Sequence, residues 1–240
     1  MNAYVTRSTR PVLNAWGPAL AGSLILLMTG CARATLIQQQ QCYDPDVQLG
    51  RVLRELDAER RDGCDVGGGD NCLRARAAVE RQLVICPAHV PTMMANAVLA
   101  YDERRPLVAQ QLLDEILSQS GSRGDAVVLR ARIAIEGGNL AFSRRLLEQH
   151  LKLAPEHAGL HETYGALLYF AGEMAGARGE LATARALGAP AWRVAYHLGL
   201  IAEALSFPDE AQKYYAESLQ GNPGYQPAEA RLKALRVGRP

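Results

Sequence analysis

The sequence predicts an all-α solenoid built from antiparallel helix pairs, and three observations carry that prediction. Small and large apolar residues recur at a spacing of 34 along most of the 240-residue chain. Hydrophobic residues make up 48% but aromatics only 6%, so small side chains supply much of the apolar total and favour close helix contacts. Helix start and stop signals bracket stretches of helical periodicity. Lys and Arg total 26 against 25 acids, a net charge of +1, which argues against a general nucleic-acid binder. No apolar run approaches the ~20 residues of a membrane-spanning helix, which excludes a polytopic membrane protein.

Residues 1–30 read as an address. Arg7 and Arg10 precede an apolar stretch, Pro18–Met28, with no acid in the segment. That stretch is short for a bilayer span and suits the core of a signal peptide. Leu27-Met28-Thr29-Gly30-Cys31 resembles the lipobox of bacterial lipoproteins, with Met28 where Leu is commonest. The resemblance implies cleavage before Cys31, a diacylated Cys31 and an acylated new N-terminus. The bland reading is an ordinary signal peptide or an uncleaved anchor. Ala32 follows Cys31; by resemblance to Gram-negative lipoproteins this implies the outer membrane, on the periplasmic side. Residues 31–43 then form the lipidated Cys and a Gln-rich tether. Twelve flexible residues reach about 20 Å, so the folded part is expected close to the bilayer.

Cys42, Cys64, Cys72 and Cys86 remain, an even number in an exported chain, which suggests disulfides. Asp44-Pro45 opens a helix, and Leu49, Val52, Leu53 and Leu56 give it one apolar face. It stops near Asp62-Gly63; a Gly-rich loop follows, and a second helix runs from about Cys72 to Ile85, before Pro87. In an antiparallel pair, Cys64–Cys72 closes the loop end and Cys42–Cys86 the open end. Three connectivities are possible, free thiols being a further alternative, and this nested one fits the hairpin over residues 44–88. The spacing lacks a zinc pattern, and the acidic loop lacks calcium-loop spacing.

The columns of the repeat are explicit. Ala75, Ala109, Ser143, Ala177 and Ala211 are in register, as are Val79, Leu113, Leu147, Leu181 and Tyr215. Ala97, Ala131, Gly165 and Gly199 form another column, and Pro87, Gly121, Pro155, Ala189 and Pro223 a fourth. Together they resemble the tetratricopeptide repeat, a helix pair with that period. The resemblance implies a right-handed superhelix. It places four units over residues 90–223, at about 90–123, 124–157, 158–191 and 192–225. The hairpin is then a diverged N-terminal repeat. Residues 226–240 form a capping helix and tail that solvates the open end. Arg231, Lys233, Arg236 and Arg239 read as a solvated face.

No catalytic motif appears. The five His include no zinc-protease pattern, and there is no nucleophile elbow or phosphate loop, so neither catalytic residues, metal nor cofactor is expected. The family resemblance instead implies a concave groove that binds a protein or peptide segment. Carried over residue by residue, the groove positions are Met94, Val98 and Tyr101; Val128, Arg132 and Ile135. They continue as Glu162, Tyr169 and Phe170, then Arg193, Tyr196, Leu200 and Glu203. Some of these are equally readable as inter-unit core, and Phe170 is one of them. Aromatics with Arg are the residue types enriched at binding hot spots. The expected function is a non-enzymatic, lipid-anchored periplasmic scaffold, in a pilus, secretion or adherence apparatus. An adaptor for cell-wall enzymes is the alternative, and an enzyme with a groove site is the rival class.

Replacing Cys31 by Ser is expected to release the protein from membranes or leave it unprocessed. Unchanged fatty-acid labelling and unchanged mass in that variant would overturn the lipoprotein reading.

Overall fold

A computed structural model describes residues 42–61, 70–119 and 123–237. The signal segment, Cys31 and most of the tether lie outside the described residues. Among the described residues there are eleven helices and no strand. They are α1 (Pro45–Arg61), α2 (Asp70–Ile85), α3 (Val90–Asp102), α4 (Pro106–Ser118), α5 (Gly124–Glu136) and α6 (Leu140–Leu153). There follow α7 (Ala158–Phe170), α8 (Met174–Ala186), α9 (Ala191–Ala204), α10 (Pro208–Gly221) and α11 (Gln226–Val237). Each helix packs on the next, and first helices of successive pairs also touch, α5 on α7 and α7 on α9. That double contact is what makes helix pairs stack into a solenoid. No helix among the described residues is long and apolar enough to cross a membrane.

The 34-residue columns form the seam between the two helices of each pair. Ala97 and Ala131 are fully buried, and so are Ala109, Ser143, Ala177 and Ala211 opposite them. Leu113, Leu147, Leu181 and Tyr215 fill the remaining space, each with no exposed surface. At Gly199 a Cβ would stand 2.5 Å from Cε1 of Tyr215, and at Gly165 it would stand 2.9 Å from Cγ of Leu181. The helices therefore approach too closely there for any side chain.

The turns inside the four pairs repeat one backbone device. Arg104, Gly138, Gly172 and Ser206 all adopt positive φ, at 60°, 77°, 80° and 62°. In each, the next residue's N–H donates back across the turn at 2.8 Å: Arg105 to Ala100, Asn139 to Ala134, Glu173 to Leu168 and Phe207 to Ala202. This is the Schellman closure of a helix. The α8 end uses it again, with Gly188 at φ 91° and the Ala189 N–H bonded to Ala184. That solves a chain reversal which proline follows in the neighbouring units.

At the N-terminal end, Val79 packs on Leu99 with Val52, Leu53 and Ala95, and Leu49 is buried nearby in sequence on α1. Asn96 donates its amide to the Val79 and Thr92 carbonyls at 3.2 and 3.0 Å, tying α2 to α3. A disulfide joins Cys42 to Cys86. Beside it, the His89 ring bridges Thr92, at 2.8 Å, and the Asp46 carboxylate, at 3.1 Å. Arg76 and Arg105 share Glu103 at 3.3 and 2.8 Å, fastening α2 to the α3–α4 turn. The α2 helix starts at Asp70, two residues before the expected Cys72. The proposed Cys64–Cys72 link involves Cys64, which lies outside the described residues. At the other end, α11 buries Ala228 against α10. Its Arg231 is not merely solvated, since it donates to Glu203 at 3.0 Å.

The positive-φ column generates a stability test. A left-handed conformation costs a non-glycine residue ~1–2 kcal/mol, and glycine's larger unfolded-state entropy offsets part of that gain. Arg104→Gly and Ser206→Gly, both at exposed positions, are expected to raise stability by about 0.5–1 kcal/mol each. Gly172→Ala should lower it by a similar amount. Urea unfolding monitored by circular dichroism reads the difference.

Candidate functional site

The first helices of the four pairs present one continuous wall, built from positions spaced four and three apart on each helix. Tyr101 on α3 donates its hydroxyl to Glu136 at the end of α5, at 2.5 Å. Arg193 on α9 donates to Glu162 on α7 at 2.6 Å. The charge of Arg132 on α5 is felt by His197 on α9, two pairs away, and by Tyr225 beyond it. The first helices also touch one another directly, α5 on α7 and α7 on α9, so this is the face on which successive pairs come together.

Burial sorts the sequence-predicted groove residues into two groups. Met94, Val98 and Tyr101 are half-buried and lean on the core of the first pair. Val128 leans on the second core in the same way. Ile135 and Leu200 are buried, at 8% and 6% exposure, and belong to the core between units. They do not line the groove, because the next first helix closes over them. Glu162 is also buried, at 3%, and its carboxylate is occupied by the Arg193 guanidinium. Glu203 is occupied too: it accepts from the Tyr215 hydroxyl at 2.7 Å and from Arg231. These two acids thus hold adjacent elements together rather than face a ligand.

The residues left to meet a ligand are Arg132, Tyr169, Phe170 and, in part, Arg193 and Tyr196. Phe170 is 59% exposed and stacks edge-on against Tyr169, with centroids 5.2 Å apart, so it is not core. Tyr196 is half-buried: it packs edge-on against Tyr225 at 5.1 Å and tilts against Tyr215 at 6.0 Å. Arg132 is partly exposed and pairs with no described carboxylate. An unpaired guanidinium on the same wall as aromatic rings is a recognition element for an acid on an otherwise apolar segment.

Three residues at this wall escaped sequence reasoning: His197, Trp192 and Tyr225. His197 stands one turn after Arg193, and its Nε2 lies 3.8 Å from Glu162. Burial pushes its pKa down to about 4, and the positive charges of Arg132 and Arg193 act in the same direction. The ring is therefore neutral and forms no ion pair at neutral pH. The Arg193–His197 spacing placed both on one helical face, a signal readable before the structure. Trp192 packs on Tyr225 with centroids 4.9 Å apart, closing the C-terminal end of the wall. Burial also raises the Tyr196 and Tyr225 hydroxyls above the ordinary phenol range.

No cluster of three metal-binding side chains occurs among the described residues. An open cleft of about 310 Å³ lies between Met94, Ile116, Arg123 and His157, with His157 3.4 Å from Asp125. A second, of about 250 Å³, is bordered by Arg178 and Arg185. Both arginines are already paired, with Glu210 and Glu217.

The half-buried His197 sets a pH dependence. The unfolded chain holds a His of pKa about 6.5, whereas the folded one is pushed down to about 4. Between those values the unfolded state binds more protons, so stability is complete above the upper value and falls as pH drops. Wild type is expected to lose roughly 1–2 kcal/mol from this group between pH 7 and 5. His197→Gln should flatten that part of the profile, read by urea unfolding at the two pH values.

No family profile matches the sequence, and no curated protein does. Solved structures do match. A thermophilic TPR protein of Thermus thermophilus superposes with a TM-score of 0.65 at 17% identity, over 80% of this chain and 99% of that one. A tetratricopeptide repeat protein from Parabacteroides merdae gives 0.64 at 16% identity, over 89% and 81% of the two chains. The APC/C hetero-tetramer Cut9–Hcn1 gives 0.61 at 14% identity over 68% of this chain, which spans only 33% of that longer one. At these identities the likeness establishes architecture: the fold is that of a tetratricopeptide-repeat solenoid.

Proposed function

We propose that this chain is a non-enzymatic adaptor that holds an extended protein segment in its concave groove. The observation that carries the reading is a wall that presents the unpaired Arg132 together with Tyr169 and the exposed Phe170, while the carboxylates Glu162 and Glu203 are already engaged. An apolar segment with one acid would stack on the rings and pair with the guanidinium. Glu162 is taken up by Arg193 and His197 is uncharged, which leaves the Arg132 guanidinium to meet an acid on the partner.

The N-terminal signal and Cys31 support an address for this adaptor: lipid-anchored at the outer membrane and facing the periplasm. There it would hold a component of a pilus, secretion or adherence apparatus close to the bilayer. The even set of cysteines after Cys31 and the Cys42–Cys86 disulfide are consistent with an oxidising compartment.

The partner is to be recovered by crosslinked pull-down from native membranes, and the groove then tested by truncation. Arg132→Ala and Phe170→Ala are the cleanest substitutions. Arg193→Ala would leave Glu162 buried without its partner, and Tyr196→Ala would open the core. Truncating a central anchor costs about 2 kcal/mol, roughly a thirtyfold loss of affinity. Helical circular dichroism should stay native. Two folded variants that bind at wild-type affinity would remove the concave face from consideration.

A further inference from the structure

The outer faces of the N-terminal hairpin carry a pattern that the groove does not use. On α1, Val47, Arg51 and Arg54 are spaced by four and three and so share one stripe, which Tyr43 extends. On α2, Arg74, Arg81 and Val84 are spaced by seven and three along one face, and Leu73 lies at its edge, eleven residues before Val84. The opposite stripes are core, through Leu49 and Val52 on α1 and Val79 on α2. The outer apolar residues are far out in solvent: Tyr43 is 74% exposed, Val47 61%, Leu73 53% and Val84 73%. Arg51, Arg54, Arg74 and Arg81 are exposed as well and pair with no described carboxylate. Of the acids here, Asp46 is held by His89 and Glu80 by Arg76; Asp44, Glu55, Asp57, Glu59 and Asp70 also lie on or beside these helices, none of them at the stripe positions just named.

Exposed apolar side chains interleaved with arginine are the pattern of a helix lying at a membrane interface. The route of the chain specifies the same occupant. Cys31 lies eleven residues before Cys42, a span of at most about 40 Å and about 18 Å as a flexible coil. The disulfide fixes where that segment arrives, between Tyr43, next to Cys42, and Val84, two residues before Cys86. We propose that the outer face of the α1–α2 hairpin rests on a bilayer surface rich in anionic phospholipid, with Tyr43, Val47 and Val84 in the headgroup layer. The proposal rests on the lipid anchor at Cys31, and it orients the solenoid: the hairpin is the foot, and the groove stands away from the membrane.

The test uses the mature, lipid-modified chain in phosphatidylcholine vesicles containing brominated acyl chains, with or without phosphatidylglycerol. Val84→Trp adds one indole at the exposed position, while Trp192, at the far end of the solenoid, serves as reference in the wild type. In phosphatidylglycerol vesicles the added emission should be quenched and the wild-type emission unchanged. Each arginine near an anionic surface contributes about fivefold in partitioning. Combining Arg51→Glu, Arg54→Glu, Arg74→Glu and Arg81→Glu should therefore abolish the quenching, with Arg→Gln at the same sites as the milder variant if helicity drops. An anchored chain whose added emission is unquenched in both vesicles overturns the proposal. A chain carrying no fatty acid on Cys31 overturns the anchor instead. Added to preformed phosphatidylglycerol vesicles, that chain still decides the hairpin contact: quenching supports it, and its absence overturns it.

Discussion

Everything in this molecule depends on how closely the two helices of each pair can approach. The distance is set by residues with little or no side chain, Ala97, Ala131, Gly165 and Gly199 on one helix and Ala109, Ser143, Ala177 and Ala211 on the other. One large residue per pair then fills what is left. Because this seam recurs every 34 residues, each pair has nearly the same shape, and identical shapes stacked with identical contacts must curve. The groove is a consequence of that curvature. Its side chains need no dedicated scaffold, since the first helices deliver them to the inner wall at fixed intervals.

The same geometry divides labour among the charges. Carboxylates on or beside the wall are spent on cohesion. Glu162 fixes α9 to α7, and Glu203 fixes α11 to α9 and α10. On the outer side, Arg178 and Arg185 reach Glu210 and Glu217 in the following unit. Among the charges left unpaired are Arg132, inward, and Arg51, Arg54, Arg74 and Arg81, outward on the terminal hairpin. Binding capacity sits where the internal pairing stops.

The architecture was legible in the sequence because seam residues are constrained by size alone, and size is visible in a string of letters. Gly138 and Gly172 mark two of the turns by residue type and Phe207-Pro208 marks the last, although Ser206 itself does not advertise a left-handed backbone; Arg104 gives the first turn no such signal. The site was harder to read. Helical spacing places Ile135 and Leu200 on the inner wall, but exposure depends on the adjacent unit, which buries both. Phe170, a groove position that spacing alone could equally make core, stands in solvent in the last turn of α7. His197 carried no motif, and its neutrality is produced by burial together with two arginines from different helices that only folding brings near.

The Cys42–Cys86 bond has a mechanical meaning. Any pull on the chain upstream of Cys42 enters the folded part at that residue and crosses the sulfurs to Cys86. It passes directly to α3, so α1 and α2 form a covalently closed loop that carries no tension. A hairpin in such a loop cannot be peeled from its end, and the first element to feel load is the start of α3, where Val79, Thr92 and Asn96 are hydrogen-bonded together. The weakest-looking part of the solenoid is thereby shielded, and its strength under force is that of the four regular pairs.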